Sequence, residues 1–177
     1  MSIFFTSDLH LGHNKSIFYC NRPYKNADVM DQQLIKNYNN VITNEDTVYN
    51  LGDISLKRKI HPGYYMSVVS QLKGRKHLIL GNHDTLNPFT YISTAGFHSV
   101  HTSLEITVDG IDMVLCHDPA LSVMDRSKVF ICGHVHNLFK VLKNVINVGV
   151  DVWDYKPVSF EELKPIIQNL ELERKDN

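Results

Sequence analysis

Near its amino terminus the chain reads Ile3-Phe4-Phe5-Thr6-Ser7-Asp8-Leu9-His10-Leu11-Gly12-His13. The short apolar run at the start has the length and the aromatic and β-branched content of a buried strand. Asp8 and His10 fall where that strand stops, and the glycine that follows lets the backbone turn sharply. A carboxylate is a hard oxygen ligand and an imidazole a borderline nitrogen ligand, a pairing that suits a first-row divalent metal. A strand ending in Asp-x-His is more often plain surface loop, so the rest of the chain has to decide the reading.

Four further strand ends repeat the pattern. Thr47 to Leu51 runs into Gly52-Asp53, and Lys76 to Leu80 into Gly81-Asn82-His83-Asp84. Ile111 to Cys116 ends in His117-Asp118-Pro119, and Val129 to Cys132 in Gly133-His134-Val135-His136. Five apolar runs thus end in groups able to bind a metal. Independent chance placement at every strand end is implausible, which points to one shared metal site.

The segments between them read as follows. Asn14 to Ala27 is a polar loop. Val29, Met30, Leu34, Ile35, Tyr38, Val41 and Ile42 recur at helical spacing and predict an amphipathic helix over Asp28 to Ile42. A second helix opens at Pro62, carries the stripe Tyr65, Val68, Val69 and Leu72, and is closed by Gly74. Asn87 to Ala95 is a short helix stopped by Gly96. Val100 to Val108 and Ile111 to Cys116 are strands joined by Asp109-Gly110, a hairpin turn signal. Leu138 to Leu142 and Val145 to Val150 form a second hairpin through Lys143-Asn144. Ser159 to Leu170 is a closing helix with capping-box spacing between Ser159 and Glu162, and Pro165 predicts a kink or restart within it. Glu171 to Asn177 is expected to fray. Strand–helix alternation followed by hairpins predicts an α/β (α+β) fold, two packed mixed β-sheets flanked by helices, with ligands at the strand ends.

Length and composition bound the rest. A chain of 177 residues without a linker or repeat is read as one domain, 1–177, with room for a substantial core. The formal net charge of −1 gives no general pull toward nucleic acid or an anionic membrane, so strong nucleic-acid binding is not expected. No charged-then-apolar leader and no bilayer-length apolar run are visible, which predicts a cytoplasmic protein with no membrane partner. The three cysteines, Cys20, Cys116 and Cys132, are odd in number and contain no Cys-x-x-Cys pair, which argues against a disulfide framework.

The order Asp-x-His, Gly-Asp, Gly-Asn-His-Asp, His, Gly-His-x-His resembles the calcineurin-like metallophosphoesterase superfamily, with all five blocks in sequence from Asp8 to His136. The resemblance implies a four-layer sandwich and two divalent metal ions. One would be held by Asp8, His10, Asp53 and His136, the other by Asp53, Asn82, His117 and His134, with Asp53 bridging. His83 would stay off the metals and face the substrate, as a general acid or a stabiliser of transition-state charge. Two cations about 3.5–4 Å apart can clamp a phosphoryl oxygen and acidify a bound water. Manganese is favoured; iron, nickel, cobalt and zinc suit the same donors. The serine/threonine protein phosphatases of that superfamily extend the second block to Gly-Asp-x-x-Asp-Arg-Gly. Here it reads Gly52-Asp53-Ile54-Ser55-Leu56-Lys57-Arg58, without the second Asp, which argues for the small bacterial or phage-type enzymes.

The expected activity is hydrolysis of a phosphate ester, a phosphodiester or nucleotide-like substrate first and a phosphomonoester second. A protein-binding scaffold on the same fold is the competing class, opposed by the completeness of the ligand set. Arg58 and His13 are candidate substrate contacts. Against these stand a solvated loop for Lys57, Arg58 and Lys59 and a turn-stabilising role for His13. Arg22 reads in the same two ways as Arg58. Trp153 and Tyr155 would stack on a base or, the preferred reading, pack against a helix. Asp84 is a candidate to orient His83 by sequence proximity alone.

Overall fold

The computed structural model describes residues 1–55 and 62–175. In chain order its strands are β1 (Ile3–Thr6), β2 (Thr47–Asn50), β3 (Arg75–Ile79), β4 (Ser99–His101) and β5 (Ser103–Val108), followed by β6 (Ile111–Cys116), β7 (Val129–Cys132), β8 (Val141–Leu142), β9 (Val145–Asn147) and β10 (Val158–Ser159). The helices are α1 (Asn14–Tyr19), α2 (Ala27–Val41), α3 (Pro62–Val69), α4 (Pro88–Ala95) and α5 (Phe160–Lys175).

Two five-stranded mixed sheets result, ordered β10-β1-β2-β3-β4 and β5-β6-β7-β9-β8. In the first, β1 to β4 are parallel and β10 is antiparallel to β1. In the second, β6, β7 and β9 are parallel and the outer strands β5 and β8 antiparallel. Alternate residues of each parallel strand serve different cores, the usual consequence of burial on both faces. Phe4, Val48 and Leu78 face α2, α3 and α4, where they meet Met30, Leu34, Tyr38, Val68 and Tyr91. Phe5, Tyr49 and Ile79 face the second sheet, meeting Met113, Leu115, Ile131 and Ile146 together with Phe160, Leu163 and Ile167 of α5. A short 3-10 turn, Pro119–Val123, lies against β7.

Local chemistry sets the helix ends. The Asn26 side chain accepts from the Val29 amide at 3.0 Å and starts α2. Asn87 does the same for α4 through the Phe89 amide, and Gly96 ends that helix at φ +71°. Ser159 and Glu162 form the expected reciprocal cap, the Ser159 amide donating to Glu162 Oε2 at 2.9 Å.

Four expectations are corrected. Asn14–Tyr19 is a helix, too short at six residues for a readable periodicity. The single strand read over Val100 to Val108 breaks at Thr102: β4 pairs with β3 and β5 with β6, so the chain changes sheets without a turn residue to announce it. The Val145 to Val150 strand stops at Asn147, and Val150 opens a 3-10 turn. The closing helix continues through Pro165 without a restart and runs on to Lys175, past the end expected at Leu170. Pro165 sits in the second turn, where a missing amide costs one hydrogen bond rather than the element. Among the described residues no helix is long and apolar enough to cross a membrane.

His77 gives the fold a pH dependence away from the strand ends that carry the motifs. Its ring stacks on Tyr49 at 5.0 Å, and its Nδ1 lies 2.7 Å from Ser99 Oγ. Burial, with the positive neighbours His98, Arg75 and His101, pushes its pKa down to about 4. The unfolded chain, at the ordinary value of 6.5, binds this proton first. The contribution is therefore complete above pH 6.5 and is lost as pH falls from there toward about 4. Urea unfolding across that window should show His77→Gln losing less stability than the parent; parallel losses would refute the assignment.

Candidate metal centre

The parallel strands deliver their successors to one edge. Loops after β1 and β2 stay paired, with Asp8 N donating to Gly52 O at 3.0 Å, His10 N to Asp53 O at 3.0 Å and Leu11 N to Ile54 O at 2.8 Å. The second sheet joins them where Val150 N donates to Ser7 O at 3.1 Å and Ser7 bridges Gly149. The His134 amide donates to Asp8 Oδ2 at 2.9 Å. This approach leaves no room for a side chain at Gly133 or at Gly81. A Cβ on Gly133 would overlap Ser7 Oγ and lie 2.6 Å from Asp8 Oδ2, and one on Gly81 would overlap Asp53 Oδ1.

All seven ligand candidates, with His83, meet there. Asp8, His10 and His136 have donor atoms within 4.8 Å of one another, as do Asp8, Asp53 and His117. Asp53 Oδ2 stands between the groups, 3.7 Å from His10 Nε2, 3.6 Å from His117 Nε2 and 3.8 Å from His83 Nε2. Asn82 Oδ1 is 3.0 Å from both His117 Nε2 and His134 Nδ1. His117 Nδ1 donates to the Leu51 carbonyl at 2.6 Å, which turns Nε2 toward the Asn82 oxygen.

The cluster is electrostatically incomplete without a cation. Asp8 Oδ1 and both ring nitrogens of His10 are buried with no hydrogen-bond partner among the described residues. Such groups carry a desolvation cost that a ligated ion removes. Burial raises the Asp8 pKa, opposed by His117 and His136, and pushes His10 well below its ordinary value. Carboxylate, amide and imidazole donors at these spacings fit first-row divalent ions. The backbone is also strained at the donors: Asp8, His10, Asp53, His134 and His136 all have φ between +49° and +71°. Non-glycine residues held in that region cost about 1–3 kcal/mol each and persist where the surroundings over-determine them.

The surroundings here are residues the motifs do not contain. Arg22, expected as a loop cation, is 4% exposed. It donates to the carbonyls of Leu9 and Asp8 at 2.9 and 2.7 Å and grips Asp151 through Nε and a terminal nitrogen at 2.7 and 2.9 Å. Asp151 Oδ2 also accepts from His136 Nδ1 at 2.9 Å, which directs Nε2 of that ring toward Asp8 Oδ1, 4.0 Å away. Burial alone would lower the His136 pKa, but the Asp151 and Cys20 hydrogen bonds and the Asp8 charge bring it up to about 10. Burial alone would raise Asp151, yet His136 and Arg22 hold it below the usual carboxylate range. Asn147 Nδ2 donates to His136 O at 2.7 Å and Phe139 O at 2.8 Å, fastening the segment after β7. The sequence carries no local signal for these residues: Arg22 and Asp151 lie far apart in the chain, and Asn147 falls inside the last apolar run.

The other candidates resolve individually. Trp153 is buried and donates to Asn147 O at 2.7 Å, and Tyr155 packs edge-on against Tyr24, so both are packing residues. Asp84 Oδ2 accepts from the Gly81 and Asp53 amides at 3.0 and 2.7 Å, so it supports the backbone of the loops after β2 and β3. His13 lies 5.7 Å from His10, ring to ring, and its side chain lines a cleft of about 550 Å³ beside the cluster, together with Tyr19, His83 and Leu138. Lys57, Arg58 and Lys59 lie outside the described residues.

The chain is similar to several known proteins. The uncharacterized protein MJ1445 of Methanocaldococcus jannaschii is 33% identical over 175 residues, spanning 94% of this chain and 91% of that protein. The Gene 66 protein of Mycobacterium phage L5 is 30% identical over 201 residues, spanning 94% of each. Among solved structures, the protein of unknown function AQ665 from Aquifex aeolicus superposes with a TM-score of 0.75 at 26% identity, covering 94% of this chain and 99% of that one. The sequence profile of the calcineurin-like phosphoesterases matches residues 1–138, which carry every ligand candidate. The chain belongs to the calcineurin-like phosphoesterase family.

Proposed function

We propose that this protein is a dinuclear metal-dependent hydrolase of phosphate esters, favouring phosphodiesters. The observation that carries the reading is the set of seven converging donors, with Asp8 Oδ1 and the His10 ring buried and unpartnered, beside a cleft that His83 borders. Asp8, His10, Asp53 and His136 would hold one divalent cation, and Asp53, Asn82, His117 and His134 the other. Bound there, such a pair would clamp phosphoryl oxygens and supply an acidified water for in-line attack. Manganese is the first cation to test; iron, nickel, cobalt and zinc have the same claim by donor chemistry.

The chain's own residues divide the remaining work. The His83 side chain keeps 42% exposure while Asp53 beneath it is almost fully buried. Its amide donates to Asp53 Oδ1 at 2.9 Å, so the residue that would bridge the metals also sets the position of His83. From there the imidazole can donate to a phosphoryl oxygen or protonate a leaving alkoxide. Room beside the cluster for a second substituent on phosphorus favours a diester over a monoester.

Metal-stripped protein restored with Mn²⁺ should hydrolyse bis-p-nitrophenyl phosphate faster than p-nitrophenyl phosphate, and Asp53→Asn should abolish the turnover. Faster monoester hydrolysis would move the assignment to a phosphatase, and no hydrolysis with any of the five metals would favour the binding scaffold. His83→Ala should retain both metals and lose about 10²–10⁴-fold in kcat; elemental analysis showing lost metal would remove it from the chemistry. Asp151→Asn should weaken Mn²⁺ binding about 10–100-fold in a dye-competition titration while its circular dichroism spectrum stays folded. Parent-like affinity would reduce Asp151 to a partner of Arg22.

A further inference from the structure

The cleft beside the ligand cluster has two walls of different chemistry. One is α1, whose residues Lys15 and Tyr19 are four apart and therefore share a face. The other is the segment after β7, from Val135 to Leu138. Tyr19 is 68% exposed and Leu138 is 80% exposed. Single exposed apolar side chains need no explanation, but these two line one concavity that reaches His10, His83 and His136.

The walls are tied together from behind. Ser16 of α1 and Cys20, which caps that helix, are both buried. Cys20 Sγ lies 3.3 Å from His136 Nδ1, and Asn137 Nδ2 donates to Cys20 O at 3.4 Å. The spacing of α1 from the segment after β7 is thus set by contacts to a candidate ligand and its neighbour.

Resting on the phosphoester reading above, we infer that this cleft binds the nucleoside portion of a nucleotide phosphoester, with the base against Tyr19 and Leu138 and Lys15 toward its anionic groups. A flat, weakly polar ring system joined to an anion matches a phenol ring and an isobutyl group flanked by one ammonium. Stacking on Tyr19 tolerates any base, because every base presents a π-face. A volume of about 550 Å³ suits a mononucleotide. A simple alkyl phosphodiester would leave both apolar side chains in water.

The test is a calorimetric titration of the Mn²⁺-restored full chain with adenosine 5′-monophosphate, uridine 5′-monophosphate and inorganic phosphate. Both nucleotides should bind at least about tenfold more tightly than phosphate, and Tyr19→Ala should bring the ratio toward one. Equal affinities for nucleotide and phosphate, or a ratio that survives in Tyr19→Ala, would overturn the subsite. Phosphate binding and diester turnover with no gain for the nucleotides would remove the subsite and leave the phosphoesterase intact. Absence of phosphate binding and of turnover would remove both.

Discussion

The Arg22 guanidinium is the point at which both halves of the site are held. It is buried, it faces Asp151 across 129 residues of sequence, and it donates to the carbonyls of Asp8 and Leu9. The first sheet contributes Asp8 and the second contributes the segment that ends at Asp151, so one planar cation fixes their relative position. Lysine could not replace it, because the fork geometry is what lets one group meet a carboxylate and two carbonyls together. Breaking a buried pair of this kind costs about 3–5 kcal/mol, since the surviving charge has nowhere to go. Asp151 then passes the constraint to His136 by fixing which ring nitrogen faces the cluster.

That anchoring explains how the donor loops tolerate their backbone. Five donors in the left-handed region are five local penalties, and a loop free to relax would abandon them. It is prevented by hydrogen bonds that continue the sheet past its strands, by the Asp8 carboxylate accepting the His134 amide, and by Asp84 accepting the Asp53 amide. Two carboxylates are used in this way before any metal is considered. The strain and the unpartnered atoms of Asp8 and His10 are the two sides of one arrangement, a frame built for an ion rather than for its own stability.

What the sequence disclosed follows from how each feature is encoded. The ligand candidates were legible because each sits within a few residues of a strand end, and glycine accompanies four of the five ends, His117 being the exception; local order alone displayed Asp8, Asp53 and Gly133-His134-Val135-His136. The two mixed sheets were legible from apolar runs and from the Asp109-Gly110 turn, whose φ values of +52° and +76° are those the dipeptide favours. Arg22 and Asp151 were not, because a pair separated by so much chain has no local signature. The sheet change at Thr102 was hidden for a related reason: strand-like residues continue on both sides, and only the partners differ. Helix α1 escaped because one and a half turns present no period to read.

Burial across the site separates holding from reacting. Asp8 and Asp53 are inaccessible, His10 and His117 nearly so, and the His136 side chain is 26% exposed. The His83 side chain reaches 42% while its amide remains fixed to Asp53. A proton donor to a departing group must meet bulk substrate, whereas a ligand gains from exclusion of water, because charge interactions strengthen where the dielectric falls. The gradient runs toward the cleft between α1 and the segment after β7, so a substrate arriving along Tyr19 and Leu138 would meet His83 at the rim with the carboxylates beneath it. On that reading the wall that carries Tyr19 would set the orientation of the ester as well as its capture.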